Sequence, residues 1–266
     1  MFLLAIIPGI VLFIMIWKSD KTEKEPPKLL LKLFLFGALT VISAVIIGLA
    51  GEVVFGFLDP ASMLYIFIDN FLLTALVEEA GKYVVLKKIT WKHPAFDHTF
   101  DAVVYAVTVS LGFATLENII FLIDAGIGVG IMRAVMSVPG HAIYGVFMGY
   151  YYGMAKTADV NGDKRLCKSY LVKALIIPFL LHGFYDFCIG SIDYDIFLLI
   201  LAVFEIVLTV AGIKKARKLS REDAAIGQEI TEDAAIGQEI AEDAAIGPEI
   251  TEDAAVNDQA SDTTVL

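Results

Sequence analysis

Two glutamates stand side by side in "LVEEAGKYVVLKK" (76–88), at the end of an apolar run from Leu64 to Val77. Ionised side chains are expensive within a hydrocarbon layer and mark functional positions by default. Neighbouring helical positions point about 100° apart, so Lys82 cannot neutralise both Glu78 and Glu79. Burial and mutual repulsion disfavour ionisation of the pair, which suits a general base or a shared proton. Later apolar runs carry Glu117, Arg133 with His141, His182 with Asp186, and Glu205. Asp186 follows His182 by the same four residues that separate Glu78 from Lys82, so it can orient the imidazole or share a ligand with it. Carboxylates and imidazoles of this kind can activate water, hold a metal ion or relay protons. Structural readings compete at single positions. A lone histidine can be merely hydrogen-bonded, Glu117 can bond across helices, Arg133 can snorkel to headgroups, and Glu205, alone in its run, reads as structural.

The elements that must position these groups follow from composition. Of 266 residues 58% are hydrophobic, and the mean hydropathy is +0.73, where soluble domains are about half apolar. Seven apolar segments occur at about 2–17, 29–57, 62–86, 101–123, 129–155, 170–190 and 195–213; crossing the hydrocarbon takes roughly 20 residues. The expectation is an all-α polytopic integral membrane protein of about seven transmembrane helices. The first run lacks a charged leader and an A-x-A cleavage site, so it reads as a retained span, with a signal peptide the alternative because 16 residues is short for a crossing. Lysine and arginine cluster in every second connection: Lys18 to Lys28, Lys87 to Lys92, Lys156 to Lys173, and "KKARK" (214–218). The alternate connections "FLDPAS", "DAGIGVG" and "GSIDYD" have none. That alternation predicts a cell-membrane protein with its N-terminus outside and its C-terminus cytoplasmic, lipid being its surrounding partner. No clustered basic face suggests a nucleic-acid partner. Cys167 and Cys188 should lie on opposite sides of the bilayer, which argues against a disulfide.

Counting from the basic boundaries at 1.5 Å per residue, Glu78 and His182 lie roughly 13 Å deep, Asp186 about 20 Å, His141 about 22 Å and Glu117 about 24 Å. Four helices could therefore bring the carboxylates and both histidines into one layer. His141, Gly145, Gly149 and Gly153 form a small-residue stripe that invites a close helix contact and turns His141 inward. Pro139–Gly140 and Pro178 are placed to kink helices beside the two histidines.

Residues 222–266 contain 13 acidic and no basic side chains, leaving 18 acidic and 20 basic in the rest of the chain; the net charge of −11 therefore belongs to this tail. "EDAAIGQEIT", "EDAAIGQEIA" and "EDAAIGPEIT" repeat one decamer. A glycine in every copy and few isoleucines leave nothing to bury, so 222–266 is expected to be a disordered acidic tail on a membrane domain of 1–221. A cytoplasmic docking segment is the alternative.

"EEAGK" (78–82), "LENIIF" (116–121), "RAVMSVPGHAIYGVFMGYYYG" (133–153) and "LLHGFYDF" (180–187) resemble, in order and spacing, the four motifs of the PrsW family of intramembrane proteases. Type II CAAX prenyl endopeptidases and bacteriocin-immunity proteins belong to the same wider group. The resemblance covers about residues 60–190 and implies hydrolysis of a peptide bond in or near the membrane, in a membrane-anchored protein substrate such as an anti-sigma factor or another regulator. It maps catalytic roles onto Glu78, the expected activator of water, and onto Glu79, Glu117, His141 and His182. Many CAAX-type members have Asn where this chain has Asp186. An ionised aspartate cannot donate to an oxyanion, so Asp186 must be protonated, bind metal or orient His182. The resemblance leaves two mechanisms open, a glutamate-activated water or a zinc ion with Glu117, His141 and His182 as ligands; no HExxH occurs in the chain. A proton-coupled transporter or channel built on a Glu/His relay is the rival reading. A non-catalytic relative would lack motif residues, and all are present.

Overall fold

The structure, a computed structural model, describes residues 2–191 and 195–245. They form seven helical rods: α1 (Phe2–Ser19), α2 (Pro27–Phe55), a composite of α3 (Met63–Phe67), a π-helical segment (Ile68–Ala75) and α4 (Leu76–Thr90), then α5 (Asp101–Asp124), the broken pair α6 (Ile127–Val135) and α7 (Ser137–Val160), α8 (Lys164–Gly190) and α9 (Asp195–Ala245). There is no strand among the described residues. Only helices or closed barrels satisfy every backbone group in lipid, and these uniformly apolar runs have the helical length. On their own, α2, α5, α8 and residues 196–226 of α9 are long and apolar enough to cross a membrane. The remaining rods are short (α1) or interrupted.

Burial is distributed as in a bundle bathed by lipid. Helix α2 exposes Leu35, Leu39, Ile42, Ile46, Leu49 and Val53, and α9 exposes Leu199, Val203, Ile206 and Val210. At the centre stands α5, buried at every residue from Asp101 to Thr115 and packed against α1, α2, α4, α6 and α7. Small residues allow this. A Cβ on Gly37 of α2 would sit 2.2 Å from the Val109 carbonyl oxygen, and one on Gly149 of α7 would sit 2.5 Å from Val103 Cα. The stripe predicted on α7 is thus the seam against α5, where close backbone approach takes the place of a hydrophobic driving force.

Two irregularities flank the polar residues. The π-helical turn ends at Ala75, three residues before Glu78; such widened turns recur at functional sites. The break between α6 and α7 falls at Met136 (φ −110°, ψ −60°). Pro139 has no N–H to give the carbonyl of Val135 and its ring clashes there, which ends α6 at that residue. By contrast, α8 runs unbroken through Pro178. Side-chain caps start two rods: Ser62 Oγ accepts from Tyr65 N at 3.2 Å and Asp163 Oδ1 from Leu166 N at 2.8 Å. Cys167 and Cys188 are free and buried, 21 residues apart on α8.

Residues 1–224 form one compact unit. Where an irregular tail was expected from 222, α9 is helical to Ala245. Ala, Glu, Gln and Ile are adequate helix formers, and a single glycine per decamer costs only about 1 kcal/mol relative to alanine. The expectation of disorder for residues 246–266 lies outside the described residues.

Candidate active site

Helices α4, α5, α7 and α8 bring Glu78, Glu79, Lys82, Glu117, His141, His182 and Asp186 into one cluster. All six candidate positions from the sequence therefore meet, and the depth argument that put them in one layer on four helices agrees with this geometry. Each helix contributes by its period. Glu78 and Glu79 face Lys82 one turn later on α4, and His182 faces Asp186 one turn later on α8.

Lys82 is the hub. Fully buried, its Nζ donates to Glu79 Oε1 at 2.7 Å and to His141 Nδ1 at 3.1 Å, lies 3.5 Å from Glu78 Oε2, and sits 4.1 Å from the centre of the Phe113 ring. Glu78, four residues before Lys82, contacts it, but Glu79, three residues before, holds the shorter contact. An ammonium has no lone pair, so Nδ1 of His141 accepts; the ring proton is on Nε2 and is donated to Glu117 Oε2 at 3.0 Å. His182 Nδ1 donates to Glu79 Oε1 at 3.0 Å. Its Nε2 therefore points to the remaining carboxylates, 3.0 Å from Asp186 Oδ2 and 4.0 Å from Glu78 Oε2. The contact with Asp186 is close but not aligned as a hydrogen bond, and Glu78 Oε2 and Asp186 Oδ2 both lack a hydrogen-bond partner among the described residues. Glu79 is thus committed to Lys82 and His182, whereas Glu78 presents a buried carboxylate oxygen with no donor.

Three placements differ from, or add to, the sequence reading. Arg133 does not run to the headgroups: its Nη2 lies 2.5 Å from Glu117 Oε2 and its guanidinium covers the Phe121 ring at 3.9 Å. Glu117 bonds His141 Nε2, and the group whose ligand atoms converge is Glu78, His141 and His182, all within 4.8 Å of one another. Tyr144, which the sequence reading passed over, stacks on His182 with ring centres 4.9 Å apart, and its hydroxyl is buried without a partner. Its place one turn after His141, on the same face of α7, was the available signal. Glu205 stays outside the cluster, half-buried, its Oε1 without a partner among the described residues.

Two imidazoles and a carboxylate match the donor set of catalytic zinc sites. The residues fit such an ion in kind, and the partnerless Glu78 oxygen gives it an anionic ligand. Glu79 behind His182 and Glu117 behind His141 are the carboxylate supports that metal-bound histidines ordinarily have. Ligation by His141 requires Lys82 or Glu117 to release a ring nitrogen, because both are engaged.

Comparison with known proteins decides the family. Residues 25–212 match the model described as PrsW family intramembrane metalloprotease. The chain belongs to the PrsW family. A relative from Geobacillus kaustophilus named Protease PrsW is 40% identical over 181 residues, covering 67% of this chain and 75% of the relative. Proteins of the same name from Oceanobacillus iheyensis (37% identical; 80% of this chain, 93% of the relative) and Bacillus subtilis (35%; 80% and 92%) are similar over most of their length. No solved structure matches. This PrsW family member is an intramembrane protease, an endopeptidase whose substrate is a protein in the membrane, and a metal is consistent with the family description and the donor set.

Proposed function

We propose that Glu78 takes the proton from the attacking water, acting on a single-span, membrane-anchored protein whose scissile bond enters the cluster between α4, α7 and α8. The observation that carries this reading is the Glu78 Oε2 atom: buried, without a donor, and 4.0 Å from His182 Nε2. Glu78 Oε2 takes no hydrogen bond and is the freer of the two carboxylates to accept a proton, whereas Glu79, taking two hydrogen bonds on one oxygen, is an orienting group.

The other residues act on the two imidazoles. Glu79 fixes His182 with Nε2 toward the reacting face, and Lys82 with Glu117 fixes the His141 ring between them. Arg133 anchors Glu117 through the same oxygen that holds His141. Tyr144 stacks its ring on His182 and carries a hydroxyl without a partner, a donor for the oxyanion that Asp186 cannot supply while ionised. In a metal-dependent form, Glu78, His141 and His182 would hold a zinc ion, Glu78 then serving as a ligand in place of its role as proton acceptor. When bound, the ion supplies Lewis acidity that polarises the substrate carbonyl and eases deprotonation of water.

The orientation with the N-terminus outside and α9 running into the cytoplasm rests on the basic connections, all of which precede or follow rods at the same end of the chain's alternation. The direct test uses the purified protein in lipid vesicles with a single-span substrate. Wild type should cleave it and Glu78→Gln should not, although both fold. Cleavage by Glu78→Gln at the wild-type rate would remove Glu78 from the chemistry.

A further inference from the structure

A second cluster of buried carboxylates lies away from the catalytic one, where α1 passes into α2. Asp20 and Glu25, in that connection, meet Asp101 at the first turn of α5, and one oxygen from each lies within 4.8 Å of the others. All three residues are at least 96% buried. Lys24, the nearest cation along the chain, gives its ammonium to the backbone carbonyls of Trp17 (2.8 Å) and Asp20 (2.5 Å). His98 pairs with Asp97 at 2.7 Å. No ion pair reaches Asp20, Glu25 or Asp101 among the described residues.

Part of each carboxylate is satisfied. Asp101 Oδ2 accepts from the backbone N–H groups of His98 (2.7 Å) and Asp97 (3.2 Å), Glu25 Oε2 takes the Tyr105 hydroxyl, and Asp20 Oδ1 takes Thr22 N at 3.3 Å. What remains is specific: Asp20 Oδ2 and Glu25 Oε1 are buried with no hydrogen-bond partner among the described residues. A buried charge without hydrogen bonds or a counterion is strongly unfavourable. Two outcomes remove the penalty, a bound cation or shared protons. Burial does push the Asp20 and Glu25 carboxyls upward. The geometry accommodates the cation. Opposite ligands on an ion with bonds of about 2.4 Å are about 4.8 Å apart, so the three oxygens lie within bridging reach, and an all-oxygen, anionic set is what hard divalent cations select.

We propose that Asp20, Glu25 and Asp101 form a binding site for a hard divalent cation of the calcium or magnesium class, which clasps the α1–α2 connection to the start of α5. The site is structural, and it is independent of the hydrolytic centre, which uses the far half of α5. Nearby, Asp223 Oδ2 accepts from Phe100 N at 2.5 Å, so α9 is fastened to the same corner.

Terbium, a luminescent substitute for calcium, tests this on the full-length protein in detergent. Tyr105, hydrogen-bonded to Glu25, is the sensitiser. Wild type and Glu78→Gln should both give sensitised emission that calcium displaces, and calcium should raise the Tm by a few degrees, saturably. Glu25→Gln and Asp20→Asn should lose the emission and the calcium-dependent Tm shift. Emission that survives in both variants, or that disappears only in Glu78→Gln, would move the ion elsewhere. A wild-type Tm insensitive to calcium, magnesium and manganese alike would overturn the proposal in favour of shared protons, whether or not the variants fold.

Discussion

His182 Nδ1 and Glu79 Oε1 are 3.0 Å apart, and the same carboxylate oxygen holds Lys82 Nζ at 2.7 Å. One buried oxygen therefore joins α4 to α8 and spends the second glutamate of the pair on positioning. The two neighbours in "EEAGK" then have opposite tasks, one free to react and one engaged.

That division predicts distinct phenotypes. Glu78→Gln should fold normally and lose turnover by roughly 10²-fold or more, because only the base is removed. Glu79→Gln should lose turnover and also stability, by about 3–5 kcal/mol, because the Lys82 ammonium would be left buried without its closest counterion. Thermal unfolding in detergent, run beside the cleavage assay, separates the two. Equal Tm losses in both variants would contradict the assignment.

Arg133 and Glu205 form a second contrast. Arg133→Gln should lower turnover, and Arg133→Lys should restore part of it, because Arg133 anchors the carboxylate that bonds His141. Glu205→Gln should be nearly silent or slightly stabilising, since it removes a half-buried charge without a partner. Initial cleavage rates on one substrate decide both.

Helix packing offers a test free of chemistry. Gly149→Ala places a Cβ within 2.5 Å of α5 backbone and should cost about 1–3 kcal/mol through overpacking. Gly48→Ala meets nothing within 4 Å and should leave the Tm unchanged or raised.

Truncations locate the end of the folded unit. Cutting after Ala224 should preserve folding and cleavage, whereas cutting after Arg221 removes Asp223 and its hydrogen bond to Phe100 N, costing about 0.5–2 kcal/mol as lost helix caps do. Loss of turnover in a well-folded protein cut after Ala224 would give the acidic repeats a functional role.

The legible part of the molecule was what the bilayer makes conspicuous. Ionisable residues inside apolar runs stood out one by one, and helical rise, at depths of roughly 13 to 24 Å, allowed Glu78, Glu117, His141 and His182 to share a layer. The seam at Gly145, Gly149 and Gly153 was legible because only small residues at that spacing allow such an approach. Choices among nearby partners were not legible. Nothing in the spacing says that Lys82 lies nearer Glu79 than Glu78, or that Arg133 turns inward to Glu117, since both depend on helix rotation. The Asp20, Glu25 and Asp101 cluster was equally hidden, because its members lie in stretches that read as solvated connections.

Metal removal is the sharpest test of the centre. Glu78, His141 and His182 converge as a donor set, while Glu79 and Glu117 hold the outer side of each imidazole. Chelation should therefore abolish cleavage, and added zinc should restore it in wild type but not in His141→Ala or His182→Ala. Glu117→Gln should weaken the zinc requirement in a graded way, by about 10–100-fold in apparent affinity, as expected for a group that supports a ligand without being one. Zinc titrations of the chelated enzyme measure this directly. An unchanged zinc dependence in Glu117→Gln would show that His141 needs no support from Glu117. Full cleavage in excess chelator, with Glu78→Gln still inactive, would leave the carboxylate of Glu78 to activate water without a metal.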